Sequence, residues 1–327
     1  STMPSSTDID GASKSKEQFV EALGVSPGDL TFSHGIHAYY PHGRSPVPEQ
    51  PRRARALDKA RTMPVDSIIF DLEDAVALEE KASARAVLVA HLLEGGYGSR
   101  SQIIRINGLD TPWAAEDIAA IAEVRPEAVL LPKVDNALMI AKLGAVMDRH
   151  EGFENTQIWA MMETPRGILN AAEIADAPRM GGMVMGTNDL AKDLNTRFDP
   201  ARAPLLAALG HCVLAAKAAG IVIVDGVYNA FKDEAGLQVE ASQGRDMGFD
   251  GKTLIHPAQV AIANRVFAPT DEEIDLSERQ IAAFEAATAE GLGVAVVDGK
   301  IVENLHIETA RATLAKAAMI ATLEGQA

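Results

Sequence analysis

Two carboxylates close two short apolar runs: Glu163 ends Ile158–Glu163 (IWAMME) and Asp189 ends Gly181–Asp189 (GGMVMGTND). Runs of this kind, bounded by turn-forming residues, are expected of strands buried on both faces of a parallel sheet. Between them Ile168, Leu169, Ala172 and Ile174 recur at helical spacing. The unit reads as strand, helix, strand, with an acid at the C-terminal end of each strand. A right-handed crossover sets successive parallel strands side by side. Two acids at the same end can then share one hard cation, and Mg²⁺ suits an oxygen site with few protein ligands. Taken alone, either acid is also what the N-terminus of a following helix recruits as a cap.

Other reactive side chains fall at the ends of similar runs. Asp71, Glu73 and Asp74 follow Ser67–Leu72 (SIIFDL), Arg105 lies within Gln102–Asn107 (QIIRIN), Lys133 within Ala128–Val134 (AVLLPKV), and Asp225 ends Ile221–Asp225. Caps would favour acids but would not place an arginine among them. As a functional group Arg105 would donate paired hydrogen bonds to an oxyanion; as a structural one it would pair with Glu73 or Asp71. Lys133 raises the alternative of a Schiff-base lysine, but neighbouring acids oppose the lowered pKa that a nucleophilic amine requires.

The elements that must position these groups alternate regularly. Helices are expected over Arg55–Thr62, Glu79–Glu94, Trp113–Val124, Asn136–His150, Pro165–Ala177, Ala201–Ala219, Glu234–Met247 and Pro257–Phe267, with strands between them ending at Lys252–Ile255. This pattern predicts an α/β fold, a (β/α)₈ TIM barrel over residues 51–268, with its reactive groups where strands pass into loops. Its first strand is atypical: Pro46, Pro48 and Pro51 exclude a central strand, which leaves Thr31–Tyr40 as the only candidate. Residues 1–50 are expected to pack poorly. Residues 269–327 are expected to add a helix over Glu272–Gly291, a hairpin Val294–Val302 turning at Asp298 and Gly299, and a last helix Ile307–Leu323, forming a lid or subunit contact.

Composition narrows the function. A net charge of −16 argues against a nucleic-acid partner, although the cluster Arg52, Arg53, Arg55, Lys59 and Arg61 could meet a small anion or simply solvate a helix face. No apolar run approaches a membrane span and no leader pattern opens the sequence, so a soluble cytoplasmic protein is expected. A single Cys212 suits a reducing compartment. His34, His37 and His42 match no standard zinc spacing.

At these residues the sequence resembles the family of the citrate lyase β subunit and the malyl-CoA and citramalyl-CoA lyases. FDLEDAV (Phe70–Val76), RING (Arg105–Gly108), LLPKV (Leu130–Val134), METPRGILNA (Met162–Ala171), GTNDLAKDL (Gly186–Leu194) and IHPAQ (Ile255–Gln259) carry the resemblance in order over about Ala56–Leu323. VDGVYNAFKD (Val224–Asp233) is closest to the short bacterial type that includes malyl-CoA thioesterases. The resemblance implies Mg²⁺ held by Glu163 and Asp189, Asp71 and Asp74 ordering its waters, Arg105 on the substrate carbonyl oxygens, and acyl-CoA contacts at Arg44, Lys59, Gly186, Thr187 and Asn188. It also implies a homotrimer or hexamer in which Asp298 reaches a neighbouring subunit as proton donor or acceptor. The expected activity is Mg²⁺-dependent cleavage of a malyl-CoA or citramalyl-CoA-like thioester to acetyl-CoA and glyoxylate or pyruvate. Hydrolysis of (3S)-malyl-CoA is the alternative, and a catalytically weak barrel subunit or binding protein is a third reading. The family opens its barrel with RSxLYxPG; here Arg44 and Ser45 stand at that distance, but Pro46–Ala54 replaces the strand.

Overall fold

The computed structural model describes residues 38–39, 57–74 and 76–325. The expected poor packing of residues 1–50, the basic side chains of Arg52, Arg53 and Arg55, and the expected ligand Arg44 lie outside the described residues, apart from one two-residue strand. In chain order the elements are β1 (Ala38–Tyr39), β2 (Ser67–Asp71), α1 (Lys81–Glu94), β3 (Ser101–Arg105), α2 (Ala114–Ile121), β4 (Ala128–Leu131), α3 (Ala137–Met147), β5 (Gln157–Met162), α4 (Pro165–Leu169), α5 (Ala171–Ala175), β6 (Met180–Met185), α6 (Thr187–Leu194), α7 (Leu206–Ala219), β7 (Val222–Asp225), α8 (Glu234–Met247), β8 (Gly251–Leu254) and α9 (Val260–Phe267). There follow α10 (Asp271–Ala289), a hairpin of β9 (Ala295–Val297) and β10 (Lys300–Val302), and α11 (Asn304–Gly325).

Strands β2 to β8 form one curled, all-parallel sheet in sequence order. The short β1 pairs in parallel with Ser67 and Ile68 on one side and with Thr253 and Leu254 on the other, closing the ring within the stretch read as the only candidate. Apolar residues on both faces of each strand give two cores. Ile69, Ile103, Leu130, Trp159, Met161, Val184 and Val224 fill the interior. Residues of the opposite parity, among them Ile68, Phe70, Ile104, Val129, Leu131, Ala160, Met162 and Ile223, pack under the helices. Room for the Trp159 ring comes from Gly182 on the neighbouring strand, where a Cβ would sit 2.5 Å from ring atoms.

The helix read as continuous from Pro165 to Ala177 is two short helices. They break at Asn170, whose side-chain amide donates to the carbonyl of Asp135 at 2.8 Å. A polar side chain tied to another loop competes with the helical ladder there. Other helix starts carry the caps that the sequence advertises: Asn136, Thr164 with Pro165 behind it, Asp233, and a capping box of Thr270 with Glu273.

The C-terminal segment has its own small core of Ala295, Val297, Val302 and Ile307 against Leu276, Ile281 and Phe284. It docks at the N-terminal ends of the barrel strands. Arg245, in the last turn of α8, pairs with Glu273 at 2.7 Å, and Lys316 of α11 donates to the carbonyl of Phe267 at 2.8 Å while feeling the charges of Asp66 and Asp250, which precede β2 and β8. Among the described residues no helix is long and apolar enough to cross a membrane.

Candidate active site

The strand C-terminal ends gather charge on one rim. Asp71 and Arg105 are the last residues of β2 and β3 and stand in register. Their parity matches the interior residues Ile69 and Ile103, so both side chains enter the mouth of the barrel. There Arg105 donates through Nε to one Asp71 oxygen at 2.8 Å and through a terminal nitrogen to the other at 2.7 Å, and lies 3.5 Å from Glu73. The structural reading of Arg105, a pair with Asp71 or Glu73, is the one this geometry displays, and the pair stands at the strand ends. The loop beyond Asp71 is braced from below. Lys81 donates to the carbonyls of Leu72 at 3.2 Å and Glu73 at 2.7 Å, and Asn107 donates to Leu72 at 2.9 Å while Asp117 holds Asn107.

Glu163 follows β5 and is 2% exposed, on the parity of Trp159 and Met161. One carboxylate oxygen accepts the backbone N–H of Lys133 at 2.8 Å. That N–H is aimed by a left-handed turn at Lys133 (φ 50°), a conformation unfavourable for a side chain that bears a Cβ and common at functional sites. Gly186 leaves space on the other side, since a Cβ there would overlap the Glu163 carboxylate and its Cβ.

Asp189 is not at the end of β6, as the apolar run suggests. The strand stops at Met185, the chain turns at Gly186, and Asp189 falls in the first turn of α6. It still faces the rim, where an acid also complements the positive end of the helix. Its charge is felt at both Glu163 and Lys133.

Electrostatics define this cluster. Burial pushes Glu163 up to about 7, opposed by the Lys133 N–H and Arg105 and reinforced by Asp189 and Glu73. Burial likewise lifts Glu73 to about 7 against Arg105, with Asp74 and Asp71 adding to the rise. Partial burial lowers the Lys133 ammonium, but Asp189, Asp74, Glu73 and Glu163 outweigh it and the pKa ends above its ordinary value. A Schiff-base lysine needs the opposite shift.

Crowded acids with too little positive charge are what a divalent cation would relieve. Among the described residues no group of three or more His, Cys, Asp or Glu is arranged to hold a metal. The donor set that fits is the pair Glu163 and Asp189, because Mg²⁺ commonly takes one or two carboxylates and completes its shell with water and substrate oxygens.

A pH effect follows for the chelator-treated protein. Both glutamates move from an ordinary 4.5 to about 7, so between those values the folded chain keeps protons that the unfolded chain has released. Stability then falls as pH rises through that window. Asp225, whose pKa is lowered, acts only below the ordinary carboxylate range. Melting temperature in chelator should drop between pH 5 and pH 7.5, and Glu73→Gln should flatten the slope. A melting temperature that climbs across the window would contradict the assignment.

The remaining expected site residues each have their own surroundings. Thr187 is buried against the backbone of Gly226. Asn188 exchanges amide hydrogen bonds with Asn229 at 3.1 and 2.8 Å. Asp74 and Lys59 are exposed. Arg61, in the same basic cluster, is tied to Asp58 and Glu94 and to the carbonyls of His91 and Gly95.

Asp225 does end β7 but points the other way, since the preceding Val224 occupies the interior. It is fully buried between Arg202 at 2.8 Å and Lys252 at 3.3 Å, with Glu240 completing an ion network behind the sheet. It leaves the list of rim acids for that reason. Asp298 sits in the β9–β10 turn at φ 50°, paired with Arg279 at 2.8 Å. Its charged neighbours are Arg279 and Lys300, and it takes no part in the rim cluster of its own chain.

Glu73 was the residue the sequence underrated. It lies in the acidic stretch after β2, but nothing linear separates it from Asp71 and Asp74. Asp71 is consumed by Arg105 and Asp74 is exposed, which leaves Glu73 as the half-buried acid of that loop.

With this geometry in place, comparison with known proteins is decisive at the family level. A sequence model of the HpcH/HpaI aldolase/citrate lyase family matches residues 50–257. The chain belongs to that family. It is similar to the (3S)-malyl-CoA thioesterase of Cereibacter sphaeroides (strain ATCC 17029), 59% identical over 269 residues, which span 82% of this chain and 92% of the relative. It is similar at 38% over 260 residues to the citrate lyase β subunit of Escherichia coli (strain K12), covering 78% and 86%. Among solved structures, the Mycobacterium tuberculosis protein CitE in complex with magnesium, acetoacetate and coenzyme A is 27% identical and aligns over 88% of this chain and 100% of the other, with a TM-score of 0.68. The family members seen here act on CoA thioesters or belong to citrate lyase.

Proposed function

We propose that this protein is a Mg²⁺-dependent thioesterase that hydrolyses (3S)-malyl-CoA or a close analogue to the free acid and coenzyme A. The observation that carries the reading is the 59% identity to a malyl-CoA thioesterase across nearly its whole length, against 38% to the citrate lyase β subunit. It moves the preference away from carbon–carbon cleavage, which the motifs alone favoured.

The rim supplies what hydrolysis needs. Glu163 and Asp189 would hold Mg²⁺, which polarises substrate oxygens when bound. Arg105, oriented by both oxygens of Asp71, offers a fixed positive charge to the acyl group. Glu73, poised near neutral pH and 3.5 Å from Arg105, can take a proton from a water attacking the thioester carbonyl. The Lys133 ammonium stays charged and attracts the substrate carboxylate.

Asp298 enters only through assembly. The C-terminal segment docks at the strand N-termini of its own barrel, so its hairpin would act as a lid on a neighbouring subunit of a trimer or hexamer.

A second reading, lyase chemistry on the same substrate, is kept by the citrate lyase relative. The deciding assay follows free thiol and 2-oxo acid separately on malyl-CoA and citramalyl-CoA, with Mg²⁺ and with chelator. Thiol without oxo acid supports the thioesterase; oxo acid without thiol establishes the lyase. Turnover that survives chelation removes the metal from either.

A further inference from the structure

We infer that the buried pair of Asp225 and Arg202, behind the sheet, positions Asp189: it ties down both flanks of the helix that bears this acid and so sets the affinity for Mg²⁺. This rests on the reading of Glu163 and Asp189 as the pair that holds the cation. Asp189 lies in α6, between the end of β6 at Met185 and the connection that leads to α7. Both flanks of α6 return to Asp225. Before the helix, Thr187 rests on Gly226, so closely that a Cβ on this glycine would sit 2.5 Å from the threonine hydroxyl oxygen and 3.1 Å from the carbonyl of Met185. The Gly226 N–H donates to Asp225 Oδ1 at 2.7 Å. After the helix, Arg202 in the α6–α7 connection donates to the same Oδ1 at 2.8 Å. One carboxylate oxygen thus anchors the loop under the start of α6 and the connection beyond its end.

A part that only stabilised the barrel would not need these charges. Lys252 donates to the other Asp225 oxygen at 3.3 Å and to Glu240 at 2.8 Å, and all four side chains are buried. Buried ion groups often stabilise a fold no more than apolar side chains of the same volume would. Arg202 also holds a left-handed backbone, φ 56°, which is unfavourable for a residue with a Cβ. What the charges add over an apolar filling is direction. Arg202 is aimed by its Nε, which donates to Gln243 at 2.9 Å, and the Gln243 amide returns to the carbonyl of Ala201 at 2.7 Å. The Asp225 carbonyl accepts the Thr253 hydroxyl at 3.0 Å, which fixes the strand end itself. The loop that starts at Gly226 meets α6 a second time, where Asn229 exchanges amide hydrogen bonds with Asn188, the residue before Asp189.

The test uses the full-length protein with Mg²⁺ alone as the probe. Arg202→Met combined with Glu240→Gln removes the tie while leaving Asp225 and Lys252 as a balanced buried pair. Gly226→Ala leaves the ion network intact and pushes on Thr187 instead. By titration calorimetry well below the melting temperature, each should bind Mg²⁺ about tenfold more weakly or worse, as when supporting partners of metal ligands are changed. Thr270→Ala, which removes the cap of α10 at the other end of the barrel, lowers stability with no path to Asp189 and should keep the parental affinity. Parental affinity in either of the first two variants, or an equal loss in Thr270→Ala, overturns the inference. Their loss of malyl-CoA turnover should shrink as Mg²⁺ approaches saturation, and a deficit independent of Mg²⁺ also overturns it. Amide exchange without metal reads the hold on the helix directly: residues 187–190 should exchange several-fold faster in the charge-balanced variant, and unchanged exchange overturns the positioning role. Parental Mg²⁺ affinity in Asp189→Asn refutes the metal reading instead, and amide exchange then decides whether the hold on α6 stands.

Discussion

Arg105→Lys is expected to lower kcat/KM by about 10²–10³-fold, the usual cost of losing a preorganised donor to a developing oxyanion. Lysine keeps the charge but not the planar fork, and the fork is what meets both oxygens of Asp71 at 2.8 and 2.7 Å. An ammonium on a flexible stem can satisfy one oxygen and will leave the strand ends differently aimed. Arg105→Ala adds a second effect. It takes the guanidinium away from Asp71, whose side chain is 3% exposed and keeps the Glu73 N–H at 3.0 Å, and breaking one side of a buried ion pair costs about 3–5 kcal/mol. The two variants therefore separate chemistry from folding: the lysine variant should melt near the parent and turn over slowly, while the alanine variant should do both badly. A lysine variant within threefold of parental activity would remove Arg105 from the mechanism.

Glu163→Gln should have opposite effects on activity and on metal-free stability. The amide keeps the shape and still accepts the Lys133 N–H through its oxygen, but it removes the carboxylate charge. Mg²⁺ affinity should fall by at least about 100-fold, because changes to mere supporting partners of metal ligands already cost 10–100-fold, and turnover should fall with it. In chelator above pH 7 the same variant should melt higher than the parent. There the parent carries a charge on a side chain 2% exposed, with Asp189 and Glu73 repelling it. Titration calorimetry and thermal melts on one preparation read both. Parental Mg²⁺ affinity in the variant would end the assignment of Glu163 as a ligand. A melting temperature below the parent in chelator would show that the acid is a structural anchor.

Much of the barrel is legible in the linear chain because its strands are short apolar runs punctuated by caps. Ser67–Asp71, Glu234–Met247 and the hairpin at Asp298 and Gly299 fall within a residue or two of where spacing puts them. The split helix at Asn170 is not legible, because its cause is an acceptor on Asp135 far back in the chain. The same holds for Asp189: a run of apolar residues does not say at which glycine the strand stops and the helix begins.

By itself the sequence determined that strands and helices alternate, that charge collects where strands end, and through its ordered motifs which family it belongs to. Which way each charge faces was decided only by the tertiary structure. In a strand buried on both faces, hydrophobicity carries no record of parity, so Asp71 and Asp225 look alike on paper. Folding turns one into the mouth beside Arg105 and the other into an ion network with Arg202 and Lys252 behind the sheet. The same closure crowds Glu73 and Glu163 until burial and mutual repulsion hold both near neutral pH, a property of their neighbours that neither residue type carries alone.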